Sequence, residues 1–546
     1  MKLNQTFKNI KRLQHIVTVF VRHGFSQVVE EAGLDRLIKN RESINNKEKL
    51  SVPVRLRMCF EELGTTFVKL GQMLSIRPDL IPRDFVDEFV KLQDKVPPID
   101  MLDIRRQIER ELDTSLENVY PEFDEKCIGA ASIAQVHRAT LADGREVVVK
   151  VRRVGIANTI ETDLSILFIL ANLLDRYFIS MAVINPVAIV DEFARTIHEE
   201  MDFIHEAQNI KRFRDNFAES ETVVIPDVVW EFTGKRVLTM QYLDGVPLND
   251  VKTLKENGCD LKKLANIGVE TFFKMVFEDG FFHGDIHGGN ILVLADDKIG
   301  MIDFGLAGRL DDRLLEEIAS LFIALVMRDF RAMSRSYLRM TILKRDSISP
   351  EALARDLQRI IEPIMGLELS KIDSSELMLN LAGIAQKHRL QVPQELLLLF
   401  RAIISLEAIG RELDPEFDAI AAASKFAKNV VIDRYRPERL LVDLVGVLRD
   451  LADLGRDMPS QLSGVLRQAE SGNLGIDVKI REKETVKLFK REIWRITFAI
   501  LTAGGAITLG MTQGSDSFGI SGLIGVTTFL SGVSGLGYLV LSGRRE

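Results

Sequence analysis

Residues 281–308 read "FFHGDIHGGNILVLADDKIGMIDFGLAG". Two short apolar runs, "NILVL" and "KIGMID", flank the pair Asp296–Asp297, the composition of an antiparallel hairpin around a tight turn. Such a hairpin brings Asn290 and Asp303 to the same end, with Asp285 on the loop just before. An amide oxygen and a carboxylate side by side, completed by phosphate oxygens, form a ligand set that suits Mg²⁺. Asp285 is then placed as a base or an orienting carboxylate for phosphoryl transfer. A rival reading takes His283, Asp285 and His287 as iron ligands, but it leaves Asn290 and the "DFG" of Asp303 without a role. A polar loop with no chemistry is the remaining alternative.

Upstream, "REVVVKVRR" has the β-branched enrichment of a buried strand, and its apolar run "EVVVK" ends in Lys150, which can offer a point charge to phosphate oxygens. An exposed strand-end lysine is the plainer reading of that residue alone. The preceding loop "GAASIAQV" adds weight, because small residues let backbone N–H groups approach phosphates and Ser132 adds a hydroxyl. In the helical stretch "DEFARTIHEEMDFIHEAQNIKRF", Glu206 is a candidate partner for Lys150, although charges on a helix more often form a solvated face. A small strand-rich region with embedded helices, followed by a mainly helical one, suits a nucleotide cleft between two lobes.

The chain has 546 residues, too many for one small core, and its 46% hydrophobic and 27% charged content is that of a globular protein. A net charge of −8 gives no reason to expect nucleic-acid binding. Cys59, Cys127 and Cys259 are too scattered for a zinc site or a disulfide framework. The basic start reads as an amphipathic helix, covering the domain behind it or touching a membrane surface. At the other end, no charge falls between Arg495 and Asp516, nor between Asp516 and Arg544. Each run is about long enough to cross a bilayer core of roughly 30 Å as a helix. Glycine and small residues favour close helix pairing, and basic flanks at "KLFKREIWR" and "GRRE" predict a hairpin with both ends cytoplasmic. A buried soluble helical hairpin is the alternative.

These residues resemble the protein-kinase-like fold and, within it, the UbiB/AarF family of atypical kinases. By that resemblance Lys150 is the phosphate-binding lysine, Glu206 its helix partner, Asp285 the catalytic-loop aspartate, and Asn290 and Asp303 the Mg²⁺ ligands. "KLGQ", Lys69 to Gln72, is similar to the family's KxGQ motif, and "EMD", Glu200 to Asp202, to its ExD motif. The loop of Gly129, Ala130, Ala131 and Ser132 resembles its alanine-rich loop. The resemblance pairs Lys69 with Glu200 and lays the KxGQ helix over the active site, where it blocks peptides. No A-P-E follows "DFGLAGRLDDRLLEE", so no peptide-docking activation segment is expected. The chain departs from the family at Gly129 and Gly288, which often are alanine and proline there.

The expected fold is α+β: a protein-kinase-like two-lobe fold with an N-terminal helical KxGQ extension and a C-terminal two-helix transmembrane hairpin. The segments are 1–118, the extension; 119–245, the N-lobe with inserted helices; 246–435, the helical C-lobe; 436–487, a helical linker; and 488–546, the hairpin. The resemblance implies ATP and Mg²⁺ as cofactors and a bacterial inner membrane with the catalytic domain cytoplasmic. It also implies a role in ubiquinone or other isoprenoid lipid biosynthesis, with membrane lipids, isoprenoid quinone precursors or quinone-biosynthesis enzymes as partners. A phosphotransferase acting on a small molecule or lipid, and a nucleotide-gated scaffold that needs no hydrolysis, are the alternatives.

Overall fold

A computed structural model describes residues 2–31, 33–34, 36, 50–92, 96–177, 185–343, 349–364, 374–388, 390–415 and 417, with Ser531 and Ser534. The expected linker 436–487 and the transmembrane hairpin 488–546, those two serines apart, lie outside the described residues, as does the end of the C-lobe segment, 418–435.

Among the described residues seven helices open the chain: α1 (Lys2–Arg22), α2 (Ser26–Glu31), α3 (Val52–Leu63), α4 (Thr65–Ser75), α5 (Arg83–Phe89), α6 (Met101–Leu112) and α7 (Leu116–Val119). Gly64, at φ 92°, makes the turn between α3 and α4, a conformation that costs glycine little. On α4 the period-3.6 positions Phe67, Leu70 and Met73 are buried. Gly71 permits a close approach, since a Cβ there falls 2.2 Å from Leu92 Cδ1. The basic helix α1 buries Ile16 and Val19 in the same cluster, and Arg12 grips Asp163 at 2.7 and 2.9 Å. It therefore covers the domain behind it.

The sheet of the small lobe runs β1 (Glu122–Phe123), β3 (Ala134–Thr140), β4 (Glu146–Arg152) and β6 (Val237–Gln241), with β2 (Gly129–Ala130) also on β3. The Asp143–Gly144 turn closes β3 on β4 in antiparallel register, Val136 opposite Lys150. Valines 147, 149 and 151 pack with Ile104, Ile108 and Tyr120, so α6 and α7 cap the face away from the cleft.

Between β4 and β6 lie α8 (Ile156–Tyr177), α9 (Pro186–Met201) and α10 (Phe203–Asn216). The helical stretch 191–213 breaks at Asp202, between α9 and α10. Asp202 is extended, and its carboxylate accepts the Ile204 N–H at 3.2 Å, capping α10. Among the described residues one stretch, Ile156–Asp175 of α8, is long and apolar enough to cross a membrane; its Ile160, Leu164, Ile166 and Leu167 are buried in the small-lobe helical core.

Within "TVVIPDVVWEF", β5 (Val223–Val224) pairs in parallel with β10 (Ile299–Met301) in the other lobe, while Val228 bridges Met240 of β6 in the small lobe. The second sheet is β5-β10-β9-β7, with β7 at Val246–Pro247 and β9 at Ile291–Val293. Around it stand α11 (Val251–Glu256), α12 (Leu261–Phe277), β8 (Phe281–His283), β11 (Ala307–Arg309), α13 (Asp312–Val326), α14 (Phe330–Met340), β12 (Ile342–Leu343), α15 (Pro350–Ile361), α16 (Ser374–Lys387), β13 (Leu390–Gln391) and α17 (Gln394–Leu413). Phe272, Phe282, Phe304, Leu264 and Ala402 are fully buried and fix α12 and α17 beneath the hairpin.

Candidate functional site

The hairpin forms as its sequence predicts, with Met301 opposite Ile291 and Ile299 opposite Val293. Asp296 and Asp297 hold the turn at φ 62° and 56°, values that aspartate tolerates better than most residues. The Ile302 N–H reaches the Asn290 carbonyl at 3.2 Å, which puts Asn290 beside the Asp303 loop. The Asn290 side-chain N–H₂ donates to the Asp285 carbonyl at 3.2 Å. Its amide oxygen is thereby turned away from the Asp285 carbonyl.

Lys150 crosses from β4 to the first turn of α10, where its ammonium donates to both Glu206 oxygens at 2.8 and 2.9 Å. Asp303 Oδ2 is 3.7 Å from the same nitrogen. Burial opposes the charged lysine, but Asp303 and Glu206 outweigh it and raise its pKa, so it stays cationic. Glu206 is pushed up, first by burial, while Lys150 pulls against that. The Asp303 side chain keeps 48% of its surface exposed. Burial acts to raise its pKa, yet Lys150 and the Gly305 N–H, which donates at 3.0 Å, bring it down to about 2. An ionised Asp303 beside a neutral amide is a hard-oxygen pair that needs phosphate oxygens to complete octahedral coordination. Among the described residues no group of three or more His, Cys, Asp and Glu is arranged to hold a metal alone.

His283 is not a free ligand. Its Nε2 is hydrogen-bonded to the Asp303 carbonyl and its Nδ1 accepts the Asp285 N–H at 3.1 Å. Burial holds the ring's pKa below its usual value, which keeps it neutral, with its proton on Nε2. His287 Nδ1 accepts the Gly289 N–H at 3.1 Å. The iron alternative built on His283, Asp285 and His287 is thus set aside, since the first histidine's two nitrogens join the Asp285 loop to the Asp303 loop instead.

The alanine-rich loop is pinned from behind. Ala131 N–H reaches Ala134 O at 2.8 Å, and Arg153 donates to the Ala131 carbonyl at 2.8 Å and to the Pro97 carbonyl at 2.9 Å. Ala130 pairs with Gln135 across β2 and β3. Ser132 is buried, and among the described residues its hydroxyl has no hydrogen-bond partner. At the family departure Gly288, a Cβ falls 2.7 Å from Asn249 Cβ and 3.0 Å from its backbone nitrogen, so close packing, not freedom alone, accounts for glycine.

Lys69 of α4 and Glu200 at the end of α9 form an ion pair, and the Lys69 charge also favours ionised Asp303. Gln72 donates to the Leu92 carbonyl at 3.3 Å, anchoring α4. Asp202, besides capping α10, meets Lys235 at 3.3 Å. The break at Asp202 is what lets Glu200 and Glu206 serve two different lysines.

Three residues escaped the sequence reading. Arg153 holds the loop, Asn209 donates to the Phe304 carbonyl at 2.9 Å, and Arg401 of α17 pairs with the Asp285 carboxylate. Arg401 left one trace, as the lone charge between Glu395 and Glu407.

The arrangement suits a triphosphate: a cationic lysine, an unpartnered hydroxyl, a paired amide and carboxylate, and a second carboxylate across from them. The chain matches the ABC1 atypical kinase-like domain over residues 91–337 and the UbiB helical domain over 357–418. It is 34% identical to a Marinobacter nauticus protein named "Probable protein kinase UbiB", over 85% of this chain and 86% of that one. A Histophilus somni protein of the same name is 34% identical over 92% and 93%, and one from Xanthomonas campestris 32% over 99% and 100%.

Proposed function

The chain belongs to the UbiB family of ABC1 atypical kinase-like proteins, and from that premise we propose that it is a Mg-ATP-dependent ATPase of the bacterial inner membrane. Its turnover supports the biosynthesis of ubiquinone or another isoprenoid quinone. The observation that carries this reading is the buried Lys150–Glu206 pair facing an Asp303 held ionised beside Asn290. When bound, Mg-ATP supplies the phosphoryl bond whose cleavage drives the cycle. Lys150 and Ser132 bind phosphate oxygens, Asn290 and Asp303 hold the metal, and Asp285 orients the attacking water.

A membrane-bound substrate or partner, not a peptide, is favoured by two features. The Lys69–Glu200 pair ties α4 beside the cleft, and only short β11 separates the Asp303 loop from α13, which begins at Asp312. The two C-terminal apolar runs support a membrane location, where polyprenyl precursors dwell. A second reading, phosphoryl transfer to a lipid or small molecule with Asp285 as base, draws on the exposure of the Asp285 carboxylate to the cleft. The test is Asp303→Asn in the full chain. Loss of ATP turnover and of Mg-ATP thermal stabilisation is expected, and unchanged values for both overturn the reading. Labelled phosphate appearing on a membrane extract, with little free phosphate, selects the transferase.

A further inference from the structure

Building on the function proposed above, we infer that Arg401, supplied by the helical domain, is the positioning residue of the catalytic carboxylate Asp285. The main chain of Asp285 is already fixed at both ends. Its N–H goes to His283 Nδ1 at 3.1 Å and its carbonyl takes the Asn290 amide at 3.2 Å. The side chain is free to rotate within that frame until Arg401 engages Oδ1; among the described residues Oδ2 takes no hydrogen bond. Holding one oxygen leaves the other aimed and available for the proton of a water or acceptor hydroxyl.

The arginine is delivered rigidly. Leu397, Leu398, Leu399 and Ala402 of α17 are buried, so the helix cannot shift without opening the core. Leu398, one turn before Arg401, sits against the catalytic loop, its Cδ2 3.5 Å from where a Gly284 Cβ would stand. A helix from a separate sequence match thus seats directly on the loop that carries Asp285. Stability does not explain the pair, because Arg401 and Asp285 are 38% and 35% exposed, and ion pairs so placed add little to folding.

The experiment compares full-length wild type, Arg401→Ala, Arg401→Lys, Asp285→Asn and the Asp285→Asn/Arg401→Ala double variant. Arg401→Ala is expected to melt near wild type and to bind Mg-ATP within about threefold, while kcat falls about 10- to 100-fold. Arg401→Lys and added guanidinium at low millimolar concentration each restore part of kcat. In single turnovers the double variant is no slower than Asp285→Asn. The inference is overturned if Arg401→Ala keeps or raises kcat, if Mg-ATP affinity falls in parallel, or if the two losses add. If Asp285→Asn and Asp303→Asn both leave turnover intact, the failure belongs to the proposed function.

Discussion

Asn209 donates its side-chain amide to the backbone carbonyl of Phe304 at 2.9 Å, one turn beyond the Glu206 that holds Lys150. Glu206 also accepts from the Phe304 backbone, so α10 grips the peptide units on both sides of that phenylalanine. The helix carrying the lysine's partner and the loop carrying Asp303 therefore move together. His283 closes the circuit by joining Asp303 to Asp285.

Asn209→Ala leaves the Phe304 carbonyl without that partner, a loss of about 1 kcal/mol. Because the loop then holds Asp303 less firmly, Mg-ATP affinity is expected to weaken about fivefold, by thermal-shift titration, with a smaller change in apo melting. Equal affinity in the two proteins counts against α10 as the holder of the metal loop.

Arg77 lies fully buried between Asp79, at 2.9 Å to each oxygen, and Glu192 of α9, at 2.6 and 2.7 Å. It ties the end of α4 to the helix that ends in Glu200. Arg77→Ala strands two carboxylates and is expected to cost about 3–5 kcal/mol in urea unfolding. A loss below about 1 kcal/mol means that water or a neighbour neutralises them.

Gly268 sits inside α12, with no heavy atom within 4 Å of an added Cβ, and it lines an apolar cavity with Leu264, Met275, Ile286 and Leu406. Alanine there removes backbone entropy from the unfolded chain and fills part of the void. Gly268→Ala is expected to stabilise by about 0.5–1 kcal/mol with turnover unchanged. A lower melting temperature shows that the cavity is closed to a methyl group.

His198 joins α9 to α8 through Glu161 at 2.6 Å. Burial lowers its pKa, but Glu161 and the Ala194 carbonyl outweigh that and raise it above the usual 6.5. The sign follows from linkage: a group with a raised folded pKa stabilises fully below its unfolded value and loses that contribution as pH rises through the folded value. The unfolding free energy from urea titrations is expected to fall between pH 6 and 8 by no more than about 0.5 kcal/mol, because the pair is half exposed. His198→Gln should flatten that change; an equal slope in the variant assigns it elsewhere.

Sequence alone determined the parts whose geometry is local. The aspartate pair makes the β9–β10 turn, so Asn290 and Asp303 had to meet, and the run of valines before Lys150 could only be a buried strand. From the residues alone Glu206 is only a candidate partner for Lys150, and the Lys69–Glu200 pairing is what the family resemblance implies, not what spacing encodes. The tertiary structure decided what spacing does not encode. Asp202 breaks one periodic pattern into two helices because its carboxylate caps the second, while periodicity reports only which face is apolar. Val223 and Val224 look like any short apolar run, and their pairing with β10 is chosen by the packing of a distant hairpin. Arg401 reaches Asp285 across 116 residues, and a lone charge on an apolar helix names no partner until the core fixes where that helix lies.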